Sequence, residues 1–369
     1  MSTFIKDFIE KATLDRRRFL LATAASVGGV MASGALGAGR VLAADQPAIA
    51  WSYRDRSSPY WNYIVSGGEN FVESLGRNKS ELINLINNGS SEKSLADVRS
   101  LLTRTGGNLA LAIDPNDAPN ARPVVEACTA AGAHVSTIWN KTADLHPWDF
   151  GDNYVSHMSW SDEGPAEQTA KILIEAMGGK GGIVGLGGIP SNNPAIERQA
   201  GLMKALSANP GVELLDYQAA DWDTQKANQI MSGFLTRFGS DIKGVFAAND
   251  VMAYGVIEAL RADGMTDIPV VAYDGNLQAV EMVMRGEMLA TVSTNPYWGG
   301  GVTAALAYHA AIGTFKPSEE PKEHREFYGP TILITQADAK DFKRNYLDNV
   351  PKYDWKDFWG QSRGQIQYR

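Results

Sequence analysis

The chain has 369 residues, 34 basic and 42 acidic, and a formal net charge of −8, a balance that speaks against a nucleic-acid partner. Its one cysteine, Cys128, has no intrachain partner, so no disulfide framework is available, and it reads as a buried, inert thiol on a helix over 123–132. The five histidines, at 134, 146, 157, 309 and 324, lack metal-ligand spacing, so neither a metal nor any other cofactor is expected.

In chain order, Asp15-Arg16-Arg17-Arg18-Phe19-Leu20 precedes a soft apolar run from Leu21 to Gly39, rich in Ala, Gly and Ser, and Val41-Leu42-Ala43 closes it with small residues. This reads as a twin-arginine export signal, with the mature chain starting near Ala44 in the periplasm. The run is too diluted by Gly and Ser, and too abruptly ended by Arg40, to favour a membrane anchor, and nothing later offers a spanning segment. Removing residues 1–43 takes six basic and three acidic residues from the 34 and 42, leaving 28 and 39. The remaining length suffices for two lobes with cores of their own.

Ten short apolar runs then alternate with amphipathic helices: 49–51, 82–86, 109–113, 135–138, 155–158, 183–186, 212–215, 245–247, 270–273 and 289–292. Ten strands with crossover helices predict α/β architecture with two doubly wound lobes of parallel sheet joined by a hinge. The most informative stretch is Gly244 to Gly275. There Val245-Phe246-Ala247 predicts a strand, Asn249-Asp250 a helix N-cap, Val251 to Ala262 a helix, and Val270 to Tyr273 a second strand ending in Asp274-Gly275. Carboxyl ends of parallel strands line a ligand crevice, so Asn249 and Asp274 are expected to face one cleft.

These residues, in "VFAANDVMAYG" and "VVAYDG", resemble the type I periplasmic sugar-binding proteins, the ribose-binding branch above all. Ser58-Pro59-Tyr60-Trp61, Ser156-His157-Met158, Glu197-Arg198, Ala220-Asp221-Trp222-Asp223 and Ala290-Thr291-Val292 follow in that family's order, and the likeness covers about Ala48 to Ile334. The resemblance implies hinge crossings near Tyr154 to Asp162, Asn295-Pro296 and Phe327 to Thr331. The lobes would then be 44–158 with 295–326, and 159–294 with 327–336. Residues 337–369, with Trp355, Phe358 and Trp359, extend beyond it, either clasping a lobe or mobile.

Carried over position by position, the resemblance puts Ser58, Tyr60 and Trp61 in a first-lobe ligand loop, Arg198 on a second-lobe helix, and Trp222, Asn249 and Asp274 after second-lobe strands. The rings would stack on a sugar, Arg198 would donate a fork to hydroxyls, Asp274 would accept and Asn249 would do both. Three positions depart from the pattern. Trp139-Asn140 stands where the family has an acidic residue and Arg, Thr294 where it has Gln, and Arg54 where a small polar residue is usual. An acceptor and a charged donor are thus expected to be missing from the first lobe. A monosaccharide is the leading ligand class, with a polyol, or a sugar acid held by Arg54, fitting the departures.

The glycines from Gly181 to Gly188 do not make a nucleotide site, since no Lys-Ser or Lys-Thr follows and Pro190 breaks the turn. They suit a strand with tight ends opening onto the cleft loop Ser191-Asn192-Asn193. No nucleophile elbow or acid–base pair supports catalysis. By resemblance the partners would be the membrane subunits of an ATP-binding-cassette importer, or alternatively a chemoreceptor or sensor.

Overall fold

A computed structural model describes residues 46–368, so the export signal and its cleavage site lie outside the described residues. The chain runs through β1 (Ala48–Tyr53), α1 (Pro59–Ser74), β2 (Ile83–Ile86), α2 (Ser91–Thr105), β3 (Leu109–Ile113), α3 (Ala121–Ala131), β4 (His134–Ile138) and β5 (Tyr154–Ser159). It continues through α4 (Glu163–Ala176), β6 (Gly181–Gly187), α5 (Asn193–Ser207), β7 (Val212–Ala219), α6 (Thr224–Phe238), β8 (Ile242–Ala247), α7 (Asp250–Ala262), β9 (Val270–Val271), α8 (Leu277–Arg285) and β10 (Ala290–Ser293). Last come α9 (Pro296–Ala311), α10 (Lys322–Arg325), β11 (Glu326–Tyr328), β12 (Ile332–Thr335) and α11 (Ala339–Phe342).

The strands form two six-stranded sheets, in the orders β11-β5-β4-β3-β1-β2 and β12-β10-β9-β8-β6-β7. All pairings are parallel except β10 with β12. Helices cover both faces, which is why β3 and β5 are buried at every position and β3 reads as an unbroken apolar run. Local chemistry sets the helix ends. The Ser90 hydroxyl caps α2 through the Lys93 amide, Asp223 caps α6 through the Lys226 amide, and left-handed Gly106 and Gly132 terminate α2 and α3.

Between β1 and β3, and again between β6 and β8, the strand order reverses; a doubly wound sheet opens its ligand crevice at such a point. The chain passes between the sheets after Ser159, after Ser293 and after Tyr328. Phe327 and Tyr328 pair with Met158 and Ser159 and so stay in the first sheet, which puts the third crossing at 329–331, within the expected 327–331, and the end of the first lobe two residues past 326. The first-lobe helix α9 is buried over most of its circumference and packs against α1 at very short range. A Cβ on Gly67 would lie 1.9 Å from the Tyr297 carbonyl oxygen, and one on Gly300 1.9 Å from that of Ile64.

The C-terminal segment joins both lobes. Phe342 enters the second-lobe core, and Trp355 then packs into the first-lobe core against Gly301 and donates from its indole to Asn70 at 3.1 Å. Phe327 bridges Gln365, and the Tyr368 ring lies over the buried Lys141 ammonium. Among the described residues, no helix is long and apolar enough to cross a membrane. Cys128 is buried in α3, and burial pushes its thiol up to about 12.

Candidate ligand site between the lobes

A cavity of about 310 Å³ opens between the carboxyl ends of the two sheets, and both lobes contribute to its wall. On the first-lobe side, Pro59 starts α1 and places Tyr60 and Trp61 in its first turn, their rings edge to face at 5.2 Å. Trp139 follows β4 in the left-handed region, with φ 61°. Its indole donates to the Tyr60 hydroxyl at 2.9 Å, and its ring packs on buried Trp160 at 4.1 Å. Burial pushes the Tyr60 hydroxyl well above the ordinary phenol range, so it stays neutral.

Asp114, just past β3, accepts from the Asn140 side chain at 2.8 Å. Burial pushes its carboxyl up to about 6, against the pull of Asn140 and the Asn116 amide. Arg54 lines the same wall, where Nε lies 3.6 Å from an Asp55 carboxylate oxygen and Nη2 donates to the Asp221 carbonyl of the second lobe at 3.3 Å.

On the second-lobe side, Arg198 of α5 is buried. It donates to Asp162 at 2.9 Å and to the Ala248 carbonyl at 2.8 Å, approaches Asp274 at 3.6 Å, and lies 3.7 Å above the Tyr273 ring. Burial opposes its charge, but Asp162 and Asp274 outweigh that and hold its pKa above the usual value. Burial pushes Asp274 up to about 7, against the pull of Arg198 and Asn249 and with the push of Asp162. Asn249 caps α7, its side-chain oxygen accepting from the Met252 amide at 3.0 Å. Trp222 sits directly over Gly188, where any Cβ would meet the indole at 1.9 Å, so this glycine is what makes room for the ring.

Seven non-glycine residues have positive φ among the described residues: Asn88, Asn116, Trp139, Asp221, Trp222, Asp274 and Asn295. Asn116, Trp139, Trp222 and Asp274 line the cavity, Asp221 precedes one of them, and Asn295 lies on the second crossing. Strain of this kind persists where surrounding contacts impose it, and it gathers at ligand sites.

Of the residues expected from sequence, Arg54, Ser58, Tyr60, Trp61, Trp139, Asn140, Arg198, Trp222, Asn249 and Asp274 all border the cavity. Thr294 does not. It is fully buried behind Tyr60, and its carbonyl accepts from the Trp160 indole at 2.9 Å, so this position serves the crossing segment and not the cavity wall. The expected loss of a first-lobe acceptor is also corrected, because Asp114 brings a carboxylate from the next strand end. The strand-end rule that picked out Asn249 and Asp274 applies equally to Asp114 after Leu109–Ile113. Asn116, Asn192 and Gln225 line the cavity from loops and a helix start without any periodic signal.

Residues 49–314 match the periplasmic binding protein domain. The chain belongs to the periplasmic binding protein family. The xylitol-binding protein of Mycolicibacterium smegmatis is 28% identical over 322 residues, 85% of this chain and 87% of that protein. The ribose import binding protein of Salmonella typhimurium is 30% identical over 241 residues, 65% and 76% of the two chains. A crystal structure of a twin-arginine translocation pathway signal protein from Burkholderia phytofirmans is 45% identical, superposes with a TM-score of 0.84, and covers 88% of this chain and 99% of its own. As a periplasmic binding protein the chain is a solute binder and not an enzyme.

Proposed function

We propose that this periplasmic binding protein captures a neutral monosaccharide or polyol between its lobes and presents it to the membrane subunits of an ATP-binding-cassette importer. The observation that carries this reading is the mixed wall of the cavity. Flat rings from Tyr60, Trp61, Trp139 and Trp222 stand among polar groups from both lobes, namely Asp114, Asn140, Arg198, Asn249 and Asp274. Rings bury C–H faces, while fixed acceptors and donors replace the water around hydroxyls.

The volume, about 310 Å³, is at the small end of ligand pockets, roughly 300 to 1,000 Å³, and suits one sugar ring or a short polyol. Charge balance favours a neutral solute. Arg54 is flanked by Asp55 and Asp114, and Arg198 by Asp162 and Asp274, so neither cation calls for an anionic ligand. Two relatives whose names specify xylitol and ribose agree with this class.

A thermal-shift screen of pentoses, hexoses, polyols and sugar acids tests it. A solute at 100 times its dissociation constant stabilises the protein by about 2.7 kcal/mol. A neutral solute is expected to give that shift; a response confined to sugar acids would reject the neutral class.

A further inference from the structure

The loop that precedes α5 does something the ligand wall alone does not require. Asn192 is buried, and its single amide joins three parts of the molecule. Its oxygen accepts from the Trp222 indole N–H at 2.7 Å, and its NH₂ donates across the cleft to the Asn116 carbonyl of the first lobe at 2.7 Å. An indole N–H only donates and a carbonyl only accepts, so these partners leave the amide one orientation. Both partners are held rigidly. Asn116 has φ 72° and ties its own side chain to the Gly89 carbonyl at 2.8 Å, while Trp222 has φ 63° and rests on Gly188.

The next residue repeats the crossing. The Asn193 amide donates to the Asn140 side-chain oxygen at 3.0 Å, and its side chain donates to the Lys141 carbonyl at 3.2 Å. Asn140 in turn holds Asp114.

Building on the binding function proposed above, we infer that Asn192 is a positioning residue that makes ring stacking and lobe closure one event. With the lobes together, Asn192 fixes the tilt of the Trp222 ring over the cavity and clamps the second lobe to the first. With the lobes apart, the Asn116 carbonyl is no longer in reach and the amide loses the partner that orients it toward the indole. A solute that stacks on Trp222 therefore favours the arrangement in which Asn192 reaches Asn116, and the latch in turn slows opening. Asn192 acts through Trp222 and through the closed state, so its effect belongs to the release rate.

The test uses the whole protein carrying fluorophores on Thr103→Cys and Ser207→Cys, exposed positions on the two lobes, with Cys128 buried and unlabelled. Energy transfer reports the closed fraction, and stopped flow reports release of D-ribose and of xylitol. Asn192→Ala is expected to lower the closed fraction without solute and to speed release at least tenfold, with the association rate nearly unchanged. Trp222→Phe keeps the ring but removes the N–H, and it should also speed release. The Asn192→Ala/Trp222→Phe double variant should release no faster than the worse single variant.

Additive effects, or an unchanged closed fraction and release rate in Asn192→Ala, would overturn the inference. So would a wild-type protein that never closes, with or without solute. If neither D-ribose nor xylitol binds while Asn192→Ala still lowers the closed fraction, the latch stands and it is ribose and xylitol that are excluded as solutes.

Discussion

In the proposed site Asp274 is the acceptor of the second lobe, since it faces the cavity while leaning on Arg198 and Asn249. Asp274→Ala should weaken binding at least 100-fold, about 2.7 kcal/mol, by leaving solute hydroxyls and Arg198 short of an acceptor. Arg198 keeps Asp162 and the Ala248 carbonyl, so the fold should survive, and calorimetry paired with circular dichroism checks both statements.

The raised carboxyls give pH effects of opposite sign. Asp114 at about 6 and Asp274 at about 7 must be ionised to accept from hydroxyls at all their oxygens, so affinity should fall as pH drops from 8 to 5. Stability of the solute-free protein moves the other way. A carboxyl whose folded pKa is raised by burial favours the folded state at low pH, and that contribution is lost as pH rises through about 6 for Asp114. Denaturant unfolding should therefore find wild type losing roughly 2 to 3 kcal/mol relative to Asp114→Asn between pH 4 and pH 8. A constant difference would mean that Asp114 is solvated.

At this scale the sequence made Asn249 and Asp274 legible through their place after apolar strands, and the rings through their chemistry. It placed Asn192 in a cleft loop but hid its role, which depends on Asn116, 76 residues away in the chain, meeting it across the cleft.

Among the elements, the turn after β6 shows how a glycine can matter without touching a solute. Gly188→Ala would put a methyl where the Trp222 indole lies, so binding should fall nearly as far as in Trp222→Ala while the melting temperature changes little. The C-terminal segment is the opposite case. Trp355→Ala would empty the space over Gly301 and remove the hydrogen bond to Asn70, costing roughly 3 to 5 kcal/mol, which thermal unfolding would register as a large drop. Long alternating elements were readable because parallel strands buried on both faces leave unbroken apolar runs. Three-residue β11 and four-residue β12 were not, since they fall outside the strand–helix alternation: β11 opens on the buried Glu326, and β12 alone runs antiparallel. The path of residues 343–368 escaped for the same reason: its aromatic residues follow contacts with two lobes and no repeat of their own.

The whole molecule is two sheets facing one cavity, crossed by the chain at 159–163, 293–296 and 328–332, with the C-terminal segment as a further tie. Asn295 stands at the second crossing with φ 49°, and its side chain donates to the Tyr353 hydroxyl at 3.0 Å and to Gln361 at 2.9 Å. The tail therefore grips a crossing segment directly. Hinge closure is the behaviour by which periplasmic binding proteins are known as a class, and here Asn192, Asn193 and Arg54 supply hydrogen bonds that exist only when the lobes meet.

The most direct measurement is calorimetric titration of the purified protein with the neutral sugar or polyol that gives the largest thermal shift, run beside Asp274→Ala and Trp222→Ala. One site per chain, a dissociation constant of micromolar or tighter, about 8 kcal/mol, and loss of measurable heat in both variants are expected. Binding that is unchanged in those variants, or absent for every neutral solute, would contradict the proposed function.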